Sequence, residues 1–566
     1  MLLAVTGASL LLVAVWVLPR FIKLFKHYQM LHLIPSPDTG RGHLAALGSL
    51  QRHKTMLRWA KECGPVFLLR LLWVRVVVVS DPVLVSQVLS RKADANKPAV
   101  WNIINELFSA CGHPSISSSL DSKSPYWRLV RKGTAPAFNP NNLRRGFDPA
   151  IAAALEVCDV IKSVGDCQSV DIDNLLVREA LDVIGKVGFN HDFKAVQGYT
   201  NQTHGDAFYH ASKGLEEFTL RATNPLRQYL KFLPSVRRGK AHYRAFQAHM
   251  ELLLKTLKAN GPPADDDMSL AAHLLRLRDP FTGAPLSNER LLPEIATFFI
   301  AGFDTTGHTM AWTLYLLSRH PEAEARVCQE LEEHGLLATH ANPSPRLVEY
   351  EDLAKLVFLS ACIKESMRLI PVTAEASSRC FPYDVRLGGQ VIPANTWIWC
   401  YIYAVQRSPS VWADPDSYIP ERWLEPGAEY FTPPEEPVAG LGSDQLPSST
   451  HLRRLNGSTT QKTSVTDASR STTQKTWQNR KDTGSGAAEL PRAERALRFL
   501  PFSSGPRDCI GQNLSKLNYM ATLAVLLGRF SFRLAPEMEG PGGVQEVIKL
   551  TLQPANGIRM LCTPRA

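Results

Sequence analysis

A ten-residue pattern near the carboxyl end constrains this chain more than any other feature. Residues 502–511 read FSSGPRDCIG, which is the pattern F-x-x-G-x-R-x-C-x-G centred on Cys509. With five specified letters, a chance match somewhere in the chain has a probability on the order of one in ten thousand. The pattern therefore predicts a specific loop built around one cysteine, in preference to a buried free thiol at the start of a helix.

The other cysteines form no second pattern. The chain has 566 residues and ten cysteines, with no C-x-x-C pair and no clustered metal-ligand spacing. A disulfide framework and a zinc site are therefore not predicted, and a reducing compartment fits best. The net charge of +10 is spread along the chain without a basic-aromatic module, which favours an anionic membrane surface or an acidic protein partner over nucleic acid.

The amino terminus carries an apolar run. Residues 1–18 have no charge, and Arg20, Lys23 and Lys26 follow them. Such a run is just long enough to span a bilayer, and its basic flank places the rest of the chain on the cytoplasmic side. A cleaved signal peptide is the alternative, but the run has no basic segment before it. The sequence predicts an anchor at 1–18, a basic and proline-rich linker at 19–43 and a folded domain at 44–566.

Within the folded domain the pattern is mainly helical. Residues 66–82 are rich in β-branched residues and predict a strand pair, and helical patterns dominate from there to about Leu369. The longest helix is predicted from Ser287, a good N-cap, to about His320. A single large domain, mainly α with small β-sheets, is the expected fold class.

Two groups of polar residues on these helices need an explanation. The longest helix carries polar residues within residues 304–308, flanked by Gly302 and Gly307, at a cost in stability that packing alone would rarely justify. Further on, Glu365 and Arg368 are spaced to share one helix face, and a PERW segment supplies Arg422.

Residues 435–490 differ from the rest in composition. They contain few apolar residues, and the hexapeptide STTQKT occurs at 458–463 and again at 471–476. Such a segment cannot bury enough surface to offset the entropy lost on ordering, so it is predicted to be a disordered insertion.

Taken together, these motifs and their order resemble the cytochrome P450 superfamily. The resemblance implies a haem domain with haem b and with Cys509 as the axial ligand of the iron, because a thiolate favours O–O cleavage. A helix beginning near Cys509 would lower the pKa of its thiol. Gly505 and Gly511 would let the backbone approach the porphyrin beside Phe502. The family pattern further implies propionate contacts from four residues: Trp127, Arg131, Arg379 and Arg507.

The resemblance also assigns roles away from the cysteine. Thr305 would hold the water that protonates bound dioxygen, and Asp304 would relay protons to it. The alternative for Thr305 is a hydroxyl bonded back to the carbonyl four residues earlier. Residues Glu365, Arg368 and Arg422 would form a buried structural network beneath the haem. Glu375 is unusual for an apolar substrate pocket, and it would either contact a polar substrate group or turn to solvent.

The expected function is that of a haem-thiolate monooxygenase. It would insert one atom of O2 into an apolar lipid, sterol, carotenoid or other terpenoid, with electrons from NADPH through a separate diflavin reductase. The expected location is the endoplasmic reticulum membrane, single-pass with a cytosolic catalytic domain, or alternatively an organelle membrane. The alternatives are a P450-like isomerase or dehydratase acting on a hydroperoxide, and a non-catalytic haem-binding protein.

Two departures from the family pattern accompany these expectations. Trp423 and Phe502 enclose 78 residues, where the family usually has a couple of dozen. Gln406 stands where a histidine is frequent.

Overall fold

A computed structural model gives the fold of the chain. It describes the residues 22, 25–40, 42–91, 93, 95–165, 168–199, 207–224, 226–227, 229–375, 377–431, 488–489, 496–540 and 542–565. The predicted anchor at 1–18 and nearly all of the predicted insertion at 435–490 lie outside these residues. Within the part that is described, none of the helices combines the length and the apolar character needed to cross a membrane.

Helices are the predominant secondary structure of the described chain, as the sequence predicts. Residues 25–32 are helical, and the following helices are numbered α1–α16. They are Leu44–Leu47, Arg52–Cys63, Pro82–Leu89, Asn105–Phe108, Pro125–Thr134, Pro140–Leu143, Phe147–Val164, Ile172–Phe189, Ala207–Thr223, Pro234–Ala259, Leu270–Arg276, Asn288–Arg319, Pro321–Glu333, Val357–Leu369, Ile402–Val405 and Gln512–Arg529.

The strands are short and form small sheets. They are β1–β14: Val66–Leu71, Val74–Val79, Ser169–Asp171, Ser378–Arg379, Val385–Leu387, Gln390–Ile392, Trp397–Cys400, Tyr430–Phe431, Ala488–Glu489, Ala496–Leu497, Phe530–Leu534, Glu546–Ile548, Leu552–Pro554 and Arg559–Pro564. The predicted strand pair is confirmed, because β1 and β2 form an antiparallel hairpin that continues into a sheet of order β1-β2-β7-β4. This sheet brings the β4 segment, which carries Arg379, beside the amino-terminal hairpin.

The longest helix, α12, runs through the core and positions the site. It begins after Ser287 and ends before His320, as predicted, and it packs most extensively against α8. A Cβ on Gly302 would come within 2.4 Å of the Ile184 side chain, and one on Gly307 within 2.4 Å of the Val177 backbone. Both glycines are therefore required for close packing of α12 on α8. The sequence-based expectation that packing would not explain these glycines is thus corrected.

The ordered core extends back into the region predicted as a linker. Leu31 and Ile34 are buried against β1 and β2 in a cluster that includes Val66 and Val79. The amide of Leu68 also donates to the carbonyl of Pro35, at 2.7 Å. Part of the 19–43 segment is therefore packed onto the small sheet.

Candidate active site

The cysteine pattern folds into a closed loop. Gly505–Arg507 form a single 3-10 turn, and the amide of Cys509 donates back to the carbonyl of Phe502 at 3.0 Å. The following helix, α16, begins only at Gln512. Cys509 thus precedes the helix, because Asp508 adopts an extended conformation after the 3-10 turn.

The two glycines of the loop are constrained differently. Gly505 has φ +81°, and a Cβ there would lie 1.9 Å from the carbonyl oxygen of Leu89. Glycine is thus required at position 505 because the loop crosses the end of α3 there. The expected approach of this residue to a porphyrin does not explain the requirement. A Cβ on Gly511 would meet nothing closer than 3.9 Å, with Cys509 and Phe138 as its neighbours. Gly511 lies on a cavity wall, where a missing side chain leaves room.

Cys509 faces a cavity of about 310 Å³ between the loop and α12. The cysteine lies deep in the protein, so the surface that it exposes belongs to this cavity. The wall brings together most of the predicted haem-contact and catalytic residues: Trp127, Arg131, Thr305, Arg379, Phe502, Arg507, Cys509 and Gly511. Gly505 and Asp304 do not line it. Residues more than 380 positions apart in sequence therefore meet at one cavity.

The pKa of Cys509 shifts opposite to the expectation. Burial raises the pKa of the thiol, and the amide of Gly511 and the charge of Arg131 lower it by less. Burial thus outweighs the contribution of Gly511, the cap residue at the amino-terminal end of α16. A thiolate here requires a positive partner in the cavity, which the iron of a bound haem would supply.

The cavity concentrates positive charge. Four cations line it: Arg131 pairs with Asp508, whereas Lys97, Arg379 and Arg507 form no ion pair with a carboxylate of the described chain. Arg379 is buried and its Nη2 has no hydrogen-bond partner among the described atoms, as is also true of Nε of Arg507. Burial, followed by the charges of Arg507 and Arg379, holds the pKa of Lys97 well below its usual range. Buried cations with spare donors fit an anionic group such as the two propionates of haem.

The other two predicted propionate contacts already have protein partners. The indole Nε1–H of Trp127 donates to the carbonyl of Ile116 at 3.1 Å, and the guanidinium of Arg507 stacks 4.2 Å from the Trp127 ring. Arg131 donates to the carbonyl oxygen of Asp508 at 2.9 Å and pairs with its carboxylate. Arg131 therefore fixes the residue before Cys509, in addition to lining the cavity.

On the opposite wall, the hydroxyl of Thr305 donates to the carbonyl of Ala301 at 3.2 Å. This is the local bond that the sequence left as an alternative for the residue. Thr305 nevertheless lines both the Cys509 cavity and an adjoining second cavity of about 240 Å³, and the two cavities also share Thr297 and Ala301 of α12. Its hydroxyl can therefore reach groups in either space by rotation about χ1.

Asp304 lines the second cavity and is held from two sides. Thr551 donates to its carboxylate at 2.7 Å, and Nε2 of His308 lies 3.7 Å from it. Nδ1 of His308 lies 2.7 Å from the carboxylate of Asp173 on α8. Burial alone would lower the pKa of His308, but Asp173 and Asp304 outweigh it and raise the pKa to about 10. No local sequence pattern predicts the pairing with Asp173.

The predicted network beneath the loop is assembled in the structure. Arg368 and Glu365 are fully buried, with Nε and Nη2 of Arg368 2.9 and 2.8 Å from the two carboxylate oxygens. Nε of Arg422 lies 3.3 Å from the same carboxylate, and the indole of Trp423 donates to it at 2.9 Å. Arg368 also donates to backbone carbonyls, including that of Gln406 at 3.0 Å. The charges are thus paired and hydrogen-bonded, as burial demands.

Gln406 connects this network to the cysteine loop. Its amide nitrogen donates to the carbonyls of Met367 and Arg368 at 2.9 and 3.1 Å, and its oxygen accepts from the amide of Leu500 at 2.8 Å. The residue that departs from the family pattern therefore provides the bridge from α14 to the segment leading into the loop. Together with Lys97, it is a site residue that sequence reasoning missed, because neither stands in a distinctive motif.

Comparison with known proteins gives a consistent result. The sequence model of the cytochrome P450 family matches residues 35–435 and 481–558. The chain is 24% identical over 528 residues to the chloroplastic carotene epsilon-monooxygenase of Arabidopsis thaliana, with 90% of this chain and 81% of that one covered. It is 26% identical over 577 residues to cytochrome P450 4F3 of Rattus norvegicus, with 97% and 93% covered.

The match to a solved structure concerns the fold. The crystal structure of the cytochrome P450DA haem domain superposes with a TM-score of 0.70 at 20% identity, over 94% of this chain and 98% of that one. The chain belongs to the cytochrome P450 family. It is an enzyme of the monooxygenase class, with haem as its cofactor.

Replacing Arg379 tests the fit of the cation cluster to haem. Arg379→Met removes a buried charge that has an unsatisfied donor, so the haem-free protein should lose no stability, while haem is retained less firmly. A charge-assisted hydrogen bond is worth about 1.5–3 kcal/mol, so haem transfer to an acceptor apoprotein should be about tenfold more favourable or greater. Unchanged haem retention would contradict the assignment of Arg379.

Replacing Glu365 tests the buried network. Glu365→Gln leaves Arg368 buried without its counter-charge, so the free energy of unfolding should fall by about 3–5 kcal/mol. The matched control is Glu421→Gln, because Glu421 is exposed and pairs with Arg326 at the surface. The control should change stability by no more than about 1 kcal/mol in urea unfolding.

The pairing of His308 predicts a pH dependence of stability. Because its pKa is raised to about 10 in the folded protein, the stabilisation is complete below the unfolded pKa of about 6.5 and is lost as the pH rises through about 10. The difference in unfolding free energy between the wild type and His308→Gln should therefore shrink between these limits, by on the order of a few kcal/mol. Urea unfolding of both proteins across this range measures it; a constant difference would contradict the pairing.

Proposed function

We propose that this enzyme inserts one atom of O2 into an apolar lipid or terpenoid substrate, with electrons from NADPH delivered by a diflavin reductase. The observation that carries the proposal is the single cavity in which Cys509, Thr305 and three cations without a carboxylate partner in the described chain face one another. Relatives named as a carotene monooxygenase and, at 33% identity over 47% of this chain, as leukotriene-B4 omega-hydroxylase 3 of Mus musculus support the substrate class.

The residues would divide the work by position. Cys509 would hold the iron of haem, with Lys97, Arg379 and Arg507 binding its propionates. Haem bound in this way supplies the binding and reductive activation of O2. The substrate would lie in the second cavity, whose apolar wall includes Phe108, Phe218 and Ile300.

Thr305 and Asp304 would serve proton delivery. The overall reaction consumes O2, two electrons, two protons and substrate, and yields hydroxylated product and water. The hydroxyl of Thr305 lines both cavities, as do the hydroxyls of Ser117, Thr297 and Thr373, and it would orient water toward the bound oxygen. Asp304, held by Thr551 and His308, would exchange protons with that water.

The cysteine side of the protein supports docking of an acidic partner. Arg128 and Lys132 on α5 are exposed, as is Lys516 on α16, and Arg91 is 79% exposed. These basic residues surround the loop that carries Cys509, so an electron donor bound there would be close to the cysteine side of the cavity. Electrostatic attraction would also speed the encounter.

A group of exposed apolar residues supports membrane association. Trp73, Tyr229 and Phe232 are 59%, 66% and 71% exposed, and the rings of Trp73 and Tyr229 lie 6.4 Å apart. Leu33 and Phe25, at 57% and 55%, extend this apolar surface toward the amino terminus. An exposed apolar surface of this kind suits contact with lipid. We propose the endoplasmic reticulum membrane as the location, with the amino-terminal segment as its anchor.

Turnover with labelled oxygen tests the proposed function. With a diflavin reductase, NADPH and ¹⁸O2, product should carry one labelled oxygen atom per molecule. Product formed from a hydroperoxide without O2 or NADPH would instead show an isomerase or dehydratase. Failure to form product from any lipid or terpenoid, with intact haem, would favour the non-catalytic alternative.

Replacing Thr305 tests the proton step separately. Thr305→Ala should keep haem and consume NADPH, but a larger share of the electrons should appear as hydrogen peroxide, with product yield per NADPH down by about tenfold or more. The matched control is Thr313→Ala, because Thr313 is on the same helix, bonds back to Thr309 and lines neither cavity. Fully coupled turnover by Thr305→Ala would exclude the role of its hydroxyl.

A further inference from the structure

The second cavity ends in a buried ion pair. Arg52 at the start of α2 is 3% exposed, and its Nη2 lies 2.9 Å from the carboxylate of Glu375, which is 11% exposed. Both residues line the cavity. Arg52 also donates to the carbonyls of Ile548 and Lys549, at 3.0 and 3.3 Å. Glu375 therefore neither turns to solvent nor stands alone, and the cavity has a polar end.

The charges on the wall of this cavity are balanced. Besides Arg52, the one further cation among its described lining residues is Lys549, and its Nζ lies 2.9 Å from the carboxylate of Glu216. The remaining charged residue is Asp304, which faces His308. Every cation that reaches the cavity is thus engaged by a carboxylate of the protein. A carboxylate on a ligand would find no available counter-charge and would approach the anion of Glu375.

The polar end of the second cavity can still form hydrogen bonds with an uncharged group of a ligand. Two donors hydrogen-bond to the carboxylate of Glu375: Nε of Arg52, which is shared between the two oxygens at 3.1 and 3.0 Å, and the hydroxyl of Tyr401 at 3.4 Å. A carboxylate can accept about four hydrogen bonds, so capacity for a further donor is left. On the same wall, the indole Nε1 of Trp397 is buried and has no partner among the described atoms. An acceptor and a donor are therefore available to a ligand at this end.

We propose that the second cavity binds an apolar substrate bearing a neutral hydroxyl group, with the Arg52–Glu375 pair selecting the alcohol over a carboxylate. The inference rests on the proposed function, since it treats this cavity as the substrate site. A hydroxyl can donate to Glu375 or accept from Trp397 without adding charge. A carboxylate must lose its hydration beside Glu375 with no free cation in return, so binding it is costly. The apolar part of the molecule then extends along α12 toward Thr305.

The test is a binding comparison that needs no turnover. The haem-loaded enzyme is titrated by calorimetry and by the Soret shift with 1-dodecanol and with dodecanoate, which share one chain length and differ at the end group. The alcohol should bind more tightly by about tenfold or more, the equivalent of roughly 1.4 kcal/mol. Equal affinity, or tighter binding of dodecanoate, would overturn the proposal.

The Glu375→Gln variant sharpens the test. It leaves Arg52 as a buried cation without a counter-charge, so the preference should reverse, with dodecanoate the tighter ligand. The matched control is Glu421→Gln, which removes a surface carboxylate distant from this wall and should keep the preference for the alcohol. An unchanged preference in Glu375→Gln would contradict the role of the pair.

A second variant covers the case in which Glu375→Gln does not fold. Trp397→Phe removes the indole N–H and keeps an aromatic ring, so it should weaken binding of 1-dodecanol and leave dodecanoate unaffected. Equal weakening of both ligands would contradict the proposal. Because these readouts measure binding, absence of labelled product alongside a preference for the alcohol would overturn the proposed function only.

Discussion

The concentration of buried positive charge around Cys509 is the constraint on which the site depends. Lys97, Arg379 and Arg507 converge from three distant parts of the chain and meet no carboxylate of the described protein. Burying cations in this way is unfavourable unless an anion is bound. Haem would meet the requirement twice, because its propionates would pair with these cations while its iron would compensate a thiolate at Cys509. The protein thus has an excess of positive charge at this cavity, which suits a cofactor with two anionic propionates.

The surrounding structure fixes the positions of the two walls of this cavity. The Glu365–Arg368 pair, Arg422 and Trp423 form a hydrogen-bonded base, and Gln406 bridges that base to the segment entering the loop. On the other wall, glycines at 302 and 307 bring α12 against α8. The two walls are therefore positioned by different means, one by buried polar bonds and the other by close backbone packing.

The second cavity differs in its electrostatics. The cations that reach it are paired with protein carboxylates, so it offers an apolar space with a neutral polar end. An anion is favoured in the Cys509 cavity, and an uncharged molecule in the adjoining second cavity. This separation would keep a lipid substrate out of the propionate sites and direct it toward Thr305.

The sequence predicted much of this arrangement where local patterns were strong. The bounds of α12, the β1–β2 hairpin and the residues that meet at the Cys509 cavity follow from capping, β-branched runs and a motif of five specified letters.

The sequence could not predict contacts made across the fold. Neither the position of Lys97 at the cavity nor two of the pairings could be predicted, because the residues involved share no local sequence pattern. These pairings are His308 with Asp173 and Glu375 with Arg52. The same limit explains why Gly505 was assigned to the porphyrin when the carbonyl of Leu89 is what excludes a side chain. The expected lowering of the Cys509 pKa was wrong for the same reason, because burial of the thiol in the folded loop raises its pKa.

The most direct test of the central claim is the carbon monoxide difference spectrum of the reduced protein. Ligation of the haem iron by the thiolate of Cys509 predicts a Soret band at about 450 nm. A Cys509→Ser variant, which keeps the size of the side chain and removes the sulfur, should lose that band. A band at about 420 nm in the intact wild-type protein, or a band at about 450 nm that persists in Cys509→Ser, would contradict the account.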